Sequence, residues 1–213
     1  RYLGHRCNLL QRFMMAPLTT KGSRTLMSAP SNDPAKQAAV SAADHEYVFH
    51  SWSAQGAISP MPIASGSGSY FWDFEGKSYL DFSSQLVFTN IGHQHPKVIK
   101  AIQAQAEVLT TVAPQHANEA RNEAAQRIVE LAGDNFAKVF FTNGGADAIE
   151  NAIRMARMHT HKHKVLSTYR SYHGSTAGAI ALTGDPRRWQ NETGASGAVK
   201  FWGPYPYRSP FHS

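Results

Sequence analysis

The residues best suited to hold an anion are Asn143-Gly144-Gly145-Ala146-Asp147, which join a short apolar run, residues 137–142, to a helical pattern. A buried strand feeding a helix through two glycines leaves unpaired N–H groups at the helix N-terminus, and such an end binds phosphate. Glycine at 144 and 145 allows a ligand to approach the backbone without meeting a Cβ. A tight strand-to-helix turn with no ligand explains the same residues equally well. The spacing is neither that of a dinucleotide-binding glycine motif nor that of a P-loop, since no Gly-Lys-Ser/Thr follows. Tyr172-His173-Gly174 follows a second strand-like run, where α/β folds place ligand residues. An aromatic ring there can stack on a flat heterocycle, or it can be a half-buried loop tyrosine. His93 and His95 stand two apart, a metal-like spacing, but Pro96 directly after them reads as the start of a helix. His159, His161 and His163 fit a solvated helix C-terminus, where cations are favourable. No metal is expected.

These residues need elements to hold them. A helix is expected over residues 37–53, followed by a connecting stretch over 58–68 punctuated by Pro60, Pro62, Gly66 and Gly68. Residues 69–73 and 78–82 are aromatic-rich and flank the turn pair Glu75-Gly76, which predicts a hairpin. The period then becomes helical. Val98, Ile99, Ile102, Ala106 and Leu109 follow Pro96, and a second amphipathic pattern through Ala120, Ala124, Ile128 and Leu131 stops near Gly133. Residues 137–142 read as a buried strand, the stretch 148–156 as a helix, 164–169 as a strand and 177–182 as a helix. Helix, strand, glycine turn, helix and strand in this order predict an α/β doubly wound arrangement.

Composition narrows the class. Hydrophobic residues at 42% and charged residues at 17% describe a globular chain with a real core. The single cysteine, Cys7, cannot form an internal bridge, so an intracellular, cytoplasmic protein is expected. No run approaches the roughly 20 apolar residues of a membrane span. The net charge of +6 is concentrated at the start, where Arg1, Arg6, Arg12, Lys21 and Arg24 precede the first acidic residue, Asp33. That distribution argues against a nucleic-acid surface. Residues 1–36 read as a flexible leader, of which residues 1–26, before Met27, read as translated upstream sequence in the first instance. If the Arg-rich start is instead a transit peptide, the mitochondrial matrix becomes the expected location.

Taken in order, Trp72-Asp73, Glu75-Gly76-Lys77, Tyr79-Leu80-Asp81-Phe82-Ser83-Ser84, Gly92-His93-Gln94-His95-Pro96, Phe141-Thr142-Asn143-Gly144-Gly145-Ala146-Asp147-Ala148 and Tyr172-His173-Gly174-Ser175-Thr176 resemble the class III pyridoxal-phosphate aminotransferases of the omega-amino acid and taurine–pyruvate type. The resemblance covers about residues 40–213 and implies the N-terminal half of such an enzyme. It implies an incomplete fold-type I large domain, a mostly parallel sheet with helices on both faces, over residues 91–213. A small-domain segment would precede it at 37–90. It implies pyridoxal 5'-phosphate as cofactor, with Gly144, Gly145 and Ala146 at the phosphate, Tyr172 on the pyridine ring, and His173 and Gly174 completing that motif. Ser84, Gln85, Leu86 and Val87 match the segment that lines the substrate pocket. The phosphate turn often reads Asn-Ser-Gly-Ser-Glu-Ala; here Gly144, Ala146 and Asp147 replace two serines and the glutamate, which removes hydroxyl contacts and leaves backbone N–H groups. A tryptophan common near Val87 is missing. No lysine stands in the context of the family's Schiff-base lysine, and no acidic residue in that of the pyridine-nitrogen partner, so both are expected beyond the chain end and no catalytic residue is assigned. The implied activity is two-stage transfer of an amino group from an omega-amino acid or amine to a keto acid such as pyruvate, by a homodimer when full length. The alternative is a truncated, inert relative that acts only by binding.

Overall fold

The computed structural model describes residues 32–191 and 197–211, so most of the expected leader, with Cys7, lies outside the described residues. The chain divides between Ala113 and Pro114 into two compact units. The helix that follows Pro96 therefore clusters with the first unit, whereas the sequence alone suggested a division at residues 90 and 91.

In the first unit, helix α1 (Pro34–Tyr47) starts where Asp33 accepts a hydrogen bond from the Lys36 amide at 2.9 Å, with Pro34 preset for the first turn. It stops six residues short of the expected end. There the His50 amide donates to Gln55 Oε1 and Gln55 Nε2 donates back to the His50 carbonyl, a local exchange that competes with helix continuation. Strands β1 (Ser65–Ser67), β2 (Tyr70–Trp72) and β3 (Ser78–Leu80) form an antiparallel sheet with Phe71 opposite Tyr79. The predicted hairpin is present, and β1 adds a third strand from what the sequence suggested was a connecting stretch.

Asp73, 4% exposed, accepts from the Glu75 and Lys77 amides and from the Tyr79 hydroxyl, and so closes the hairpin turn. Burial, then the Asp73 hydrogen bond, pushes the Tyr79 phenol up to about 12. Phe71 and Tyr79 stack with centroids 5.3 Å apart, and with Trp72 they form the unit's small core.

The hairpin leads into an unusual turn. Ser84, Gln85, Leu86 and Val87 all have positive φ, 48°, 48°, 62° and 72°, so the single helical turn Ser84–Val87 is left-handed. A left-handed conformation costs an L-residue about 1–2 kcal/mol, and nothing in the side chains of Leu or Val favours it. One buried carboxylate holds it in place. Asp81 accepts from Ser83 Oγ, the Gln85 amide, Gln85 Nε2 and Thr89 Oγ1, and pairs with His93 Nε2 at 2.7 Å; its side chain is 3% exposed. His93 in turn packs so closely beneath Gly66 that a Cβ at 66 would lie 2.8 Å from the imidazole. The two-apart histidines thus part company: His93 braces Asp81, and His95 stands at the N-cap position of helix α2 (Pro96–Val108) without a side-chain hydrogen bond to it.

In the second unit, Asn118 caps α3 (Glu119–Ala132) through the Arg121 amide, and Gly133 at φ 86° ends it. The strand expected over residues 137–142 is not formed. The segment has no regular secondary structure, no described strand pairs with it, and Phe140 and Phe141 are exposed. An apolar extended run becomes a strand only when a neighbour takes up its backbone groups. Helix α4 (Gly145–Thr160) follows, ending at His161 in the left-handed region, with His159 in its last turn. Strands β4 (Val165–Thr168) and β5 (Ala198–Phe201) pair in parallel, Val165 opposite Ala198. β5 was not foreseen. Between the strands in sequence, helix α5 (Ala177–Leu182) is buried through Ala179, Ile180, Ala181 and Leu182, and with Thr183 it makes the core of this unit. No helix among the described residues is long and apolar enough to cross a membrane, and no group of three metal-ligating side chains occurs among them.

Candidate functional site

Gly145 and Ala146 open α4, and Gly144 is its N-cap in extended backbone with no side-chain hydrogen bond to the helix. The first amides of α4 have no intrahelical acceptor, and among the described residues no side chain substitutes for one. A Cβ built on Gly144 or Gly145 would meet no atom within 4 Å, so the space before the helix is open. Gly145 and Ala146, with Ala148 and Ile149 one turn on, line a cleft of about 770 Å³ whose other wall is Tyr172, His173, Gly174, Ser175 and Thr176; Gly144, just before the helix, is not among the lining residues. The structure thus brings Gly145, Ala146, Tyr172, His173 and Gly174 together, while Ser84, Gln85, Leu86 and Val87 belong to the first unit as the left-handed turn. Asp147 is in the first turn of α4 but is not among the lining residues.

The two walls are locked by packing. Gly174 has φ 132°, and a Cβ there would lie 2.6 Å from Ala146 Cβ and 2.9 Å from its Cα. Only glycine lets the loop press against the start of α4. The His173 amide donates to Thr183 Oγ1 at 3.1 Å, tying the loop to the end of α5. Glu150, on α4, accepts from Thr176 Oγ1, the Gly178 amide and the Ala179 amide. It therefore caps α5 from a neighbouring helix. The Thr176 hydrogen bond, outweighing burial and reinforced by the two amides, holds the Glu150 carboxyl below the usual carboxylate range.

Tyr172 is 36% exposed, with its hydroxyl 2.9 Å from Ser175 Oγ. The Arg187 guanidinium lies 4.0 Å from the centre of its ring. Arg187 is itself gripped by Asp185, whose carboxylate accepts from Nε at 2.9 Å and from Nη2 at 2.7 Å.

Sequence reasoning missed Glu150, Asp185 and Arg187. Asp185-Pro186 does carry a local helix-start signal, and Asp185 caps the short 3-10 turn Pro186–Gln190. The contact of Arg187 with Tyr172 spans 15 positions and leaves no local trace.

The class-III aminotransferase family matches residues 52–210 of the chain. An acetylornithine aminotransferase of Methanosarcina acetivorans is 36% identical over 154 residues, covering 72% of this chain and 38% of that protein. In three dimensions the chain is similar to a taurine:2-oxoglutarate aminotransferase from Bifidobacterium kashiwanohense, solved with PLP and glutamate. The TM-score is 0.76 and the identity 46%, covering 80% of this chain and 39% of the other. It is also similar to a Bacillus anthracis aminotransferase, with TM-score 0.78, identity 30%, and coverage of 84% and 41%. The chain thus spans about two fifths of the length of these relatives. Its α/β arrangement is part of the fold-type I transaminase fold. With three quarters of its length matched by that family, the chain belongs to the class-III aminotransferases.

Proposed function

We propose that the cleft between α4 and the Tyr172–Thr176 loop binds pyridoxal 5'-phosphate, and that the chain serves an enzyme that moves an amino group from an omega-amino acid or amine to a keto acid such as pyruvate by a ping-pong mechanism. The observation that carries this is the uncapped N-terminus of α4 opening onto a cleft walled by an aromatic ring. The residues fit the group. The amides of Gly145 and Ala146 would receive the phosphate, the open space at Gly144 and Gly145 gives its oxygens room, and the helix dipole favours its charge. Tyr172 would pack on the pyridine ring, with Gly174 and Glu150 fixing the loop that carries it. When bound, the cofactor supplies an electron sink for amino-group transfer. The left-handed turn, with Leu86 and Val87 exposed, is proposed to line the pocket for the substrate's carbon chain. A cytoplasmic homodimer is proposed for the full-length protein, and the mitochondrial matrix if the leader is a transit peptide.

The direct test is Gly145→Val in the full-length gene product. A valine side chain would occupy the phosphate's place and separate it from two amides, each charge-assisted hydrogen bond being worth about 1.5–3 kcal/mol. Cofactor affinity is expected to fall by about a hundredfold or more, measured by equilibrium dialysis. The fold should be unaffected, because apart from its chain neighbours and its own helix backbone no described atom lies within 4 Å of the new Cβ. Unchanged cofactor affinity would refute the phosphate assignment.

One observation favours a second reading, a non-catalytic binding protein: no lysine is among the residues that line the cleft. Reading the gene beyond Ser213 separates the two. An open frame carrying a lysine in the family's context supports the enzyme, and a stop codon supports the binding protein.

A further inference from the structure

We propose that Arg187, gripped by Asp185, is a positioning residue that sets the plane of the Tyr172 ring against which the cofactor's ring packs. This rests on the reading that the cleft takes pyridoxal phosphate. A tyrosine on a loop turns about two side-chain bonds, and a stacked ligand gains most when the ring is already held in the right plane. Contacts among the described residues hold both the tip and a face of Tyr172. Its hydroxyl is 2.9 Å from Ser175 Oγ, which fixes the tip, and the Arg187 guanidinium, 4.0 Å from the ring centre, fixes a face.

The guanidinium could not do this if it were itself loose. Asp185 takes both Nε and Nη2 on its carboxylate, and the same carboxylate caps the backbone by accepting from the Arg187 amide at 2.7 Å. Pro186 fixes the backbone between them. Asp185-Pro186-Arg187 is therefore a short bracket that presents the guanidinium to an aromatic ring of the cleft. A surface ion pair between residues two apart adds little to stability. What the bracket does place is a planar cation on a planar ring, the geometry in which arginine and tyrosine attract through the ring's quadrupole.

The test uses the full-length gene product and two probes, 4-deoxypyridoxine 5'-phosphate and inorganic phosphate, titrated calorimetrically. The first carries the ring and the phosphate but no aldehyde, so it reports non-covalent packing alone. Arg187→Met is expected to weaken 4-deoxypyridoxine phosphate about fivefold, in the range of a partly exposed cation–π contact, and to leave inorganic phosphate unchanged. The induced circular dichroism of bound pyridoxal phosphate should change with it, since that signal reports ring orientation. Asp185→Asn keeps the cation and loosens its grip, and should give a smaller loss in the same direction; it serves as the deciding variant if Arg187→Met is poorly folded. In a Tyr172→Ala background, Arg187→Met should have no further effect. Unchanged affinity and dichroism in both variants, equal losses for the two probes, or a full additional loss in the Tyr172→Ala background would each overturn the proposal. If the unaltered protein binds neither probe, the cleft reading itself fails and this inference falls with it. If it binds both and the variants match it, only the role of Arg187 falls.

Discussion

Expressed as its 213 residues alone, the chain is expected to show no amine-dependent turnover with any donor and keto acid tried, and to bind pyridoxal phosphate weakly. The chemistry needs an amine that can exchange with the cofactor's aldehyde and then move a proton. Among the described residues, no lysine lines the cleft. The cleft is lined by Gly145, Ala146, Ala148, Ile149 and residues 172–176, and Lys200 points its amine at the Ala181 carbonyl, 2.7 Å away. What remains is phosphate and ring contact. Absorbance titration followed by borohydride reduction and peptide mapping checks this. A stoichiometric adduct on one lysine of the chain, together with amine-dependent turnover, would show that the 213 residues are sufficient.

The second large effect concerns the first unit. Asp81→Ala is expected to lower the stability of the unit by about 3 kcal/mol, because it removes a buried carboxylate that accepts several hydrogen bonds and leaves the part-buried His93 without its acceptor. The strained turn at Ser84–Val87 should relax when its anchor goes, which denaturant unfolding and proteolysis at Leu86 and Val87 would both report.

The same carboxylate gives a pH signature. Burial alone would raise its pKa, but the hydrogen bonds from His93 and Gln85 outweigh burial, and the folded carboxyl lies below the usual range. The unfolded chain therefore binds this proton more readily than the folded one. The stability it contributes is present above the ordinary carboxylate pKa and is lost as pH falls through the lowered folded value. Asp81→Ala should flatten that acid limb. An unchanged acid limb would mean that Asp81 does not hold the turn.

The elements that announced themselves in the sequence are those specified locally. Pro96 opens α2, Gly133 ends α3, and the Gly144-Gly145 pair marks the start of α4. In each case a single residue type meets a backbone need, so spacing suffices. The strand expected over 137–142 failed because a ladder is a property of two segments, and one of them cannot be read from the other. The left-handed turn was invisible for the opposite reason. Leu86 and Val87 are poor choices for positive φ, and the cause of their conformation is a carboxylate several positions earlier, backed by a histidine later in the chain. The cleft itself was legible in its two glycine motifs, at 144–145 and 174. Its supports, Glu150 and Arg187, were not, since each acts on a partner at least 15 positions away.

The two glycines that face each other across the cleft are under different evolutionary constraints. At Gly174 a side chain would collide with Ala146 whether or not a ligand is bound, so the position is fixed by folding and tolerates nothing larger in any descendant that keeps the loop. At Gly145 a side chain would meet only empty space, so folding alone leaves the position free. Lineages that stop using the cofactor should therefore drift at 145 while remaining glycine at 174. A survey of substitutions at this pair would then sort cofactor-dependent homologues from those that have kept the scaffold and abandoned the chemistry.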